Sequence, residues 1–227
     1  MLKEWTWFER IWLLVFAGIN IWLFFAWDDT LLGLISSLTG MLCVVLVAKG
    51  KISNYYFGII QTGTYAYISF TYGLYGEAML NGLFYFPVQF IGIYLWNRNK
   101  TKQSTIGEEV IVKRMNAKAW TFTLAAIALA TVLYAIFLEL IGGRSVGLDS
   151  ATNVFSIAAQ ILMLKRFAEQ WIMWIIVNVL SIILWYITLV DTGGNDYTLL
   201  VMWTAFLFNS VYGYINWIRM SKKQGAV

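Results

Sequence analysis

A chain of 227 residues that is 60% hydrophobic and 18% aromatic, with 12% charged residues and one proline, carries about half the charge of an ordinary soluble domain. That excludes a water-soluble globular fold and points to an all-α polytopic membrane protein. The absence of histidine removes the commonest metal ligand and general base. The single cysteine, Cys43, excludes an intrachain disulfide and any thiol-rich metal site. The net charge of +4 matters through its placement.

Residues 1–18 do not read as a cleavable signal peptide, because Glu9 and Arg10 precede a long apolar run and no small-residue cleavage site ends it. Eight stretches are long and apolar enough to cross the hydrocarbon, which takes about 20 helical residues. They fall near 11–27, 31–48, 55–72, 78–96, 119–141, 150–164, 171–190 and 197–217. Aromatic residues crowd many of their ends (Trp27, Tyr55, Trp96, Trp120, Trp171, Trp217), as interfacial anchors do.

The charges between spans alternate. Lys3 and Arg10, Lys49 and Lys51, the group Arg98, Lys100, Lys102, Lys113, Arg114 and Lys118, then Lys165 and Arg166, then Arg219, Lys222 and Lys223 mark one side. Asp28 and Asp29, Glu77, Arg144 and Asp149, then Asp191 and Asp196 mark the other. Of sixteen Lys and Arg, only Arg144 falls on the acidic side. Positive charge collects on the cytoplasmic face, so both termini are expected there. The basic loop after Trp96 reads as a topogenic segment rather than a nucleic-acid patch.

The chain also repeats itself. An offset of 116 lays Lys49 over Lys165, Ser36 over Thr152, Asn54 over Gln170 and Tyr55 over Trp171. Beyond the third span the longer 191–196 connection moves the offset to 121. There Gly92, Trp96 and Arg98 lie over Gly213, Trp217 and Arg219 in a shared G-x-x-x-W-x-R pattern. Spans two to four thus resemble spans six to eight, with span five between them. One linker helix lets the second triplet run parallel to the first, a 3+1+3 plan found among transporters with substrate near mid-membrane. The expected division is an additional amino-terminal helix in 1–30, a first repeat in 31–98, a basic loop and linker helix in 99–145, and a second repeat with the tail in 146–227.

Polar groups at mid-depth define the candidate site. In 170–185, residues Trp171, Trp174, Asn178, Ser181 and Trp185 share one helical stripe, and the opposite face is Ile, Val and Leu. An amide in hydrocarbon costs about 2–7 kcal/mol unless hydrogen-bonded. Asn178 therefore either bonds a neighbouring helix or reads a solute lying against the rings, and the stripe alone leaves both open. Gln61 shares a face with Phe57 and Tyr65. Asn81, Tyr85 and Gln89 recur at intervals of four, Asn153, Ser156 and Gln160 at three and four, and the last span adds Asn209 and Asn216. Gln61, Gln89, Asn178 and Asn209 lie deepest, with Trp174, Trp185 and Tyr85 as the ring faces beside them. Pro87, between Tyr85 and Gln89, is expected to kink its span.

No Asp, Glu, Lys or Arg occupies the middle of a span, so the relay groups of proton-coupled pumps are lacking. No G-x-x-x-x-G-K-[ST] loop occurs. No cluster of acid, base and nucleophile suggests catalysis, and no cofactor is implied. Amides, hydroxyls and rings suit a solute that is neutral or carries a diffuse positive charge, which aromatic faces attract by about 0.5–2 kcal/mol. A membrane enzyme or cofactor protein is disfavoured. A purely structural or receptor-like role would use the same polar residues as packing glue.

Lys51-Ile52-Ser53-Asn54-Tyr55-Tyr56-Phe57-Gly58, Asp149-Ser150, Trp171-x-x-Trp174-x-x-x-Asn178, and the last span from Phe206 through Asn209 to Trp217 resemble the PnuC family of bacterial nicotinamide riboside transporters. The resemblance covers spans two to eight; the first span and the 99–116 loop carry little of it. It implies a SWEET-like 3+1+3 fold in the bacterial inner membrane and facilitated diffusion of nicotinamide riboside. A separate cytoplasmic kinase would keep the gradient inward by phosphorylating the riboside. Related members carry other vitamins such as thiamine on the same scaffold. The family resemblance also implies a homo-oligomer, with a trimer as one arrangement.

Overall fold

The computed structural model describes residues 5–26, 31–71, 78, 80–100, 110–140, 146–192 and 197–225, with a few side chains inside the helices outside that description. Among these residues the regular elements are all helices, joined by turns and short connections that carry two isolated β-bridges, Lys100 with Val110 and Lys113 with Phe167. The elements are α1 (Trp7–Ala26), α2 (Leu31–Ala48), α3 (Asn54–Thr71), a π-helical stretch Leu80–Tyr85 running into α4 (Phe86–Asn97), α5 (Ala117–Leu140), α6 (Val146–Leu164), α7 (Gln170–Thr192) and α8 (Tyr197–Lys223).

Each expected span corresponds to one helix, and the differences lie at the ends. α1 starts at Trp7, with Glu9 and Arg10 already inside it. A capping box explains the early start: Thr6 N donates to Glu9 Oε2 (2.8 Å) and Glu9 N donates to Thr6 Oγ1 (3.2 Å). Asp149 lies within α6 and Asp191 within α7, not in connections. Lys222 and Lys223 occupy the last turn of α8, where cations complement the helix dipole. Asp28, Asp29, Glu77, Arg144 and Asp196, which carry the acidic side of the charge alternation, lie outside the described residues.

Pro87 acts upstream of itself. It stands at the second position of a regular α4, and the disturbance is the wider π-helical turn of Leu80–Tyr85. Proline has no N–H to give the carbonyl four residues back, and a π turn is one way for a helix to absorb that loss.

The chain falls into two compact units, Met1–Ile111 and Val112–Val227. In the first, α1 packs on α2, α2 on α3, and α3 on the π-helical stretch and α4. Ser37 Oγ donates to Asn20 Oδ1, fixing α2 against α1. Lys49 Nζ reaches Glu9 Oε2 at 2.6 Å and lies 5.1 Å from the centre of the Trp5 ring. In the second unit, α5 packs on α6, α6 on α7 and α7 on α8. Ile127, Ala159, Leu162 and Met173 form its core, with Trp120, Phe155 and Trp174 against them. Trp120, expected as an interfacial anchor, is half-buried and packs against this core, whereas Tyr55, Trp96, Trp171 and Trp217, expected likewise, are buried packing residues.

Outward faces are apolar. Glu9–Ala26, Leu31–Ala48 and Ala117–Phe137 have the length and hydropathy of membrane spans among the described residues, and Ser150–Leu164 and Gln170–Ile183 are shorter apolar windows. Along α7, Val179, Ile183, Tyr186 and Val190 are exposed while Trp171, Val177, Asn178 and Ser181 are buried. The polar-aromatic stripe thus faces inward and the aliphatic side faces out.

Candidate functional site

The units share a construction that begins at their tight turns. After α2 the chain reverses at Gly50 with φ 64°, and after α6 at Arg166 with φ 65°. Gly50 N donates to Val47 O and Lys51 N to Leu46 O; Arg166 N donates to Met163 O and Phe167 N to Leu162 O. These are Schellman closures, and the offset of 116 places Arg166 on Gly50. A left-handed arginine is uncommon; here Lys113 N holds its carbonyl at 2.8 Å, and burial lowers the pKa of its guanidinium. Each turn is clasped by an acid. Glu9 takes Lys49 in the first unit; in the second, Glu169 accepts from Arg114 Nε (2.8 Å) and Met115 N (3.1 Å).

One turn further on, a ring from the helix after each reversal crosses the last helix of its unit. Tyr55 meets Trp96 edge-on with centroids 5.0 Å apart, and Trp171 meets Trp217 edge-on at 6.2 Å. Glycine makes room for both. A Cβ at Gly92 would stand 2.7 Å from Tyr55 Cδ1 and overlap Cε1 and Cζ; one at Gly213 would stand 2.6 Å from Trp171 Cζ2. The G-x-x-x-W pattern is therefore a notch and a ring one turn apart on one face. Tyr55 Oη and Trp171 Nε1 are buried without hydrogen-bond partners.

Deeper still, the two units differ. In the first, Gln89 is buried; its Nε2 donates to Tyr85 O (3.1 Å) and its Oε1 has no partner. Thr62, also buried, returns its hydroxyl to Gly58 O. In the second, Asn178 is buried and its Nδ2 donates to Ser210 Oγ at 2.9 Å. The offsets found in the sequence, carried inward, place Trp174 on Gly58, Asn178 on Thr62 and Ser210 on Gln89. One unit thus combines a glycine with a long amide, and the other a tryptophan with a serine. Gly58, Thr62 and Ser210 were not among the sequence candidates, although extending the offsets would have selected them.

The remaining candidates are placed as follows. Gln61 is half-buried on α3 and packs on Gly40 of α2, where a Cβ would stand 3.1 Å from its Cγ. Tyr85 is half-buried at the end of the π-helical stretch and joins Gln89 through its carbonyl. Trp174 is half-buried against the α5–α6 core. Asn209 is buried on α8, next to Ser210. Trp185 lies on α7, with its side chain outside the described residues. Asn81, Ser156 and Gln160 are buried as well, Gln160 with Nε2 unpartnered.

Residues 30–219 match the family model described as nicotinamide mononucleotide transporter. The chain belongs to that family. Within it, the chain is similar to the nicotinamide riboside transporter PnuC of Neisseria mucosa, 45% identical over 96% of this chain and 84% of that protein. It is 41% identical to the protein of the same name in Haemophilus influenzae, covering 98% of this chain and 94% of that one. A crystal structure of the vitamin B3 transporter PnuC superposes with a TM-score of 0.85 at 44% identity, covering 97% and 94% of the two chains. The family is one of transporters rather than enzymes, and its membership with these apolar helices makes the chain a multi-pass membrane protein.

Proposed function

We propose that this chain carries nicotinamide riboside inward across the bacterial cytoplasmic membrane by facilitated diffusion. The observation that carries the reading is identity of 41–45% over nearly the whole chain to proteins named as transporters of that compound. The family model's description speaks of the mononucleotide, and chemistry separates the two. A phosphate carries about −1.5 to −2 charges at neutral pH and calls for Arg or Lys beside it. The mid-depth polar groups of this chain are amides and hydroxyls. Those groups and aromatic faces suit a riboside whose pyridinium bears diffuse positive charge.

In this reading Gln61, Gln89, Asn178 and Asn209 hydrogen-bond the carboxamide or ribose, and Tyr85, Trp174 and Trp185 supply ring faces. Helices α2–α4 and α6–α8 are two parallel repeats, α5 is the linker between them, and both termini are cytoplasmic. With no Asp, Glu, Lys or Arg at mid-span, the proton relay of a coupled pump is lacking, and transport in this reading is uniport. A cytoplasmic kinase that phosphorylates the riboside keeps the gradient inward, and the protein works as a homo-oligomer, such as a trimer, in the lipid bilayer. Calorimetric titration of purified protein with nicotinamide riboside, nicotinamide mononucleotide, thiamine and riboflavin tests the assignment. Saturable binding of the riboside alone is expected; preference for the mononucleotide or for thiamine would overturn it.

A further inference from the structure

We infer that Gly58 is the residue that positions the Gln89 amide, and that Gln89 Oε1 so placed is an acceptor for a neutral hydrogen-bond donor on the substrate. The inference rests on the reading that Gln89 touches substrate. Tyr85 O can only accept, so the Gln89 amide must turn Nε2 toward it, and this sends Oε1 to the opposite side, toward α3. There the backbone of Gly58 leaves the space that a side chain would fill. A Cβ at Gly58 would overlap Oε1 and stand 2.8 Å from Cδ, with Cys43 Sγ at 3.4 Å. The notch therefore admits the one amide orientation that the Tyr85 carbonyl selects.

Oε1 is buried and has no donor among the described residues. An orphaned buried acceptor is costly, and buried polar groups without partners call for an explanation. A donor delivered by the substrate, from its carboxamide or a ribose hydroxyl, supplies the missing partner. The corresponding place in the other unit argues the same way: Trp174 fills the position of Gly58, and Ser210, too short to need a notch, stands for Gln89. The first unit has a glycine where it has a long amide.

The Gly58→Ala variant separates positioning from folding. The new methyl meets the far end of a flexible side chain and no backbone atom among its nearest contacts, so the amide yields and the helix does not. Alanine is also the better helix former. In calorimetric titration with nicotinamide riboside, Gly58→Ala should stay monodisperse and bind about 5- to 150-fold more weakly. Gln89→Ala should lose a similar factor, and the double variant should bind no worse than Gln89→Ala alone. Adding Gln89→Asn to Gly58→Ala withdraws the amide by one methylene and should restore part of the affinity and raise the melting temperature of any poorly folding single variant.

Two analogues identify the donor. If it is the carboxamide, wild type discriminates against nicotinic acid riboside and Gly58→Ala narrows that ratio; if it is the ribose, 2′-deoxy or 3′-deoxy nicotinamide riboside shows the same pattern. Wild-type affinity in Gly58→Ala beside a loss in Gln89→Ala would overturn the role of Gly58 and leave that of Gln89 standing. Wild-type affinity in both would remove both. Fully additive losses in the double variant would show that Gly58 does not act through Gln89.

Discussion

Replacing Asn178 with Leu is the sharpest perturbation of the second unit, because the structure gives its amide a partner. The side chain is 3% exposed and donates to Ser210 Oγ at 2.9 Å. Leucine of similar volume removes that bond and strands the Ser210 hydroxyl. Hydrogen bonds between membrane helices average about 0.6 kcal/mol, with larger cases near 1.7, and a stranded buried group costs about 1–3 kcal/mol. Asn178→Leu should therefore lower stability whether or not the residue touches substrate, and melting temperature alone cannot decide its role. Ser210→Ala decides it. That change breaks the same bond while leaving the Asn178 amide in place but without this partner, so it should lose about 1–3 kcal/mol of stability and little affinity. Asn178→Leu should in addition bind nicotinamide riboside about 5- to 150-fold more weakly. Titration of both folded variants checks this. Wild-type affinity in Asn178→Leu, with stability loss in both, would reduce Asn178 to a bond between α7 and α8.

Gly92→Ala should destabilise more than Gly213→Ala, since its methyl enters the Tyr55 ring more deeply; overpacking of about 1–3 kcal/mol would appear as a lower melting temperature, and unchanged stability in Gly92→Ala would contradict the notch. Glu9→Gln or Lys49→Met, each breaking one side of a pair whose side chains are 2% and 9% exposed, should cost several kcal/mol, about 3–5. The two together should cost less than either alone, measured by thermal unfolding. With Cys43 replaced, cysteines at Asp28 and in the 193–196 connection should label from outside and one at Lys222 should not. External labelling at Lys222 would reverse the assigned topology.

Much of the helix order was legible because helices of membrane-spanning length declare themselves by their apolarity. The shared G-x-x-x-W pattern was legible for a related reason. Gly92 and Trp96 recur as Gly213 and Trp217 because each pair accommodates a crossing ring, Tyr55 or Trp171, so the geometry constrains both copies alike. Ends were harder. The start of α1 depends on a reciprocal bond between Thr6 and Glu9, and Asp149 reads as a loop residue until α6 is seen to begin at Val146. The candidate residues were legible by type but not as pairs. Periodicity put Asn178 on an inward stripe without revealing Ser210, and it marked Gln89 without Gly58, because a glycine's contribution is the space it leaves. Trp96 and Trp217 misled for the opposite reason: a tryptophan near a helix end looks like an interfacial anchor, whereas these two are buried against Tyr55 and Trp171.

The central claim is passive carriage of nicotinamide riboside, and it is tested most directly in liposomes containing only this protein. With no proton or sodium gradient, radiolabelled riboside should enter to equilibration and stop, apart from any effect of membrane potential on its cationic ring. Enclosing a riboside kinase with ATP should turn that equilibration into sustained accumulation, and imposing a proton gradient should not. No entry above protein-free liposomes, or accumulation that follows the imposed proton gradient without a kinase, would contradict the account.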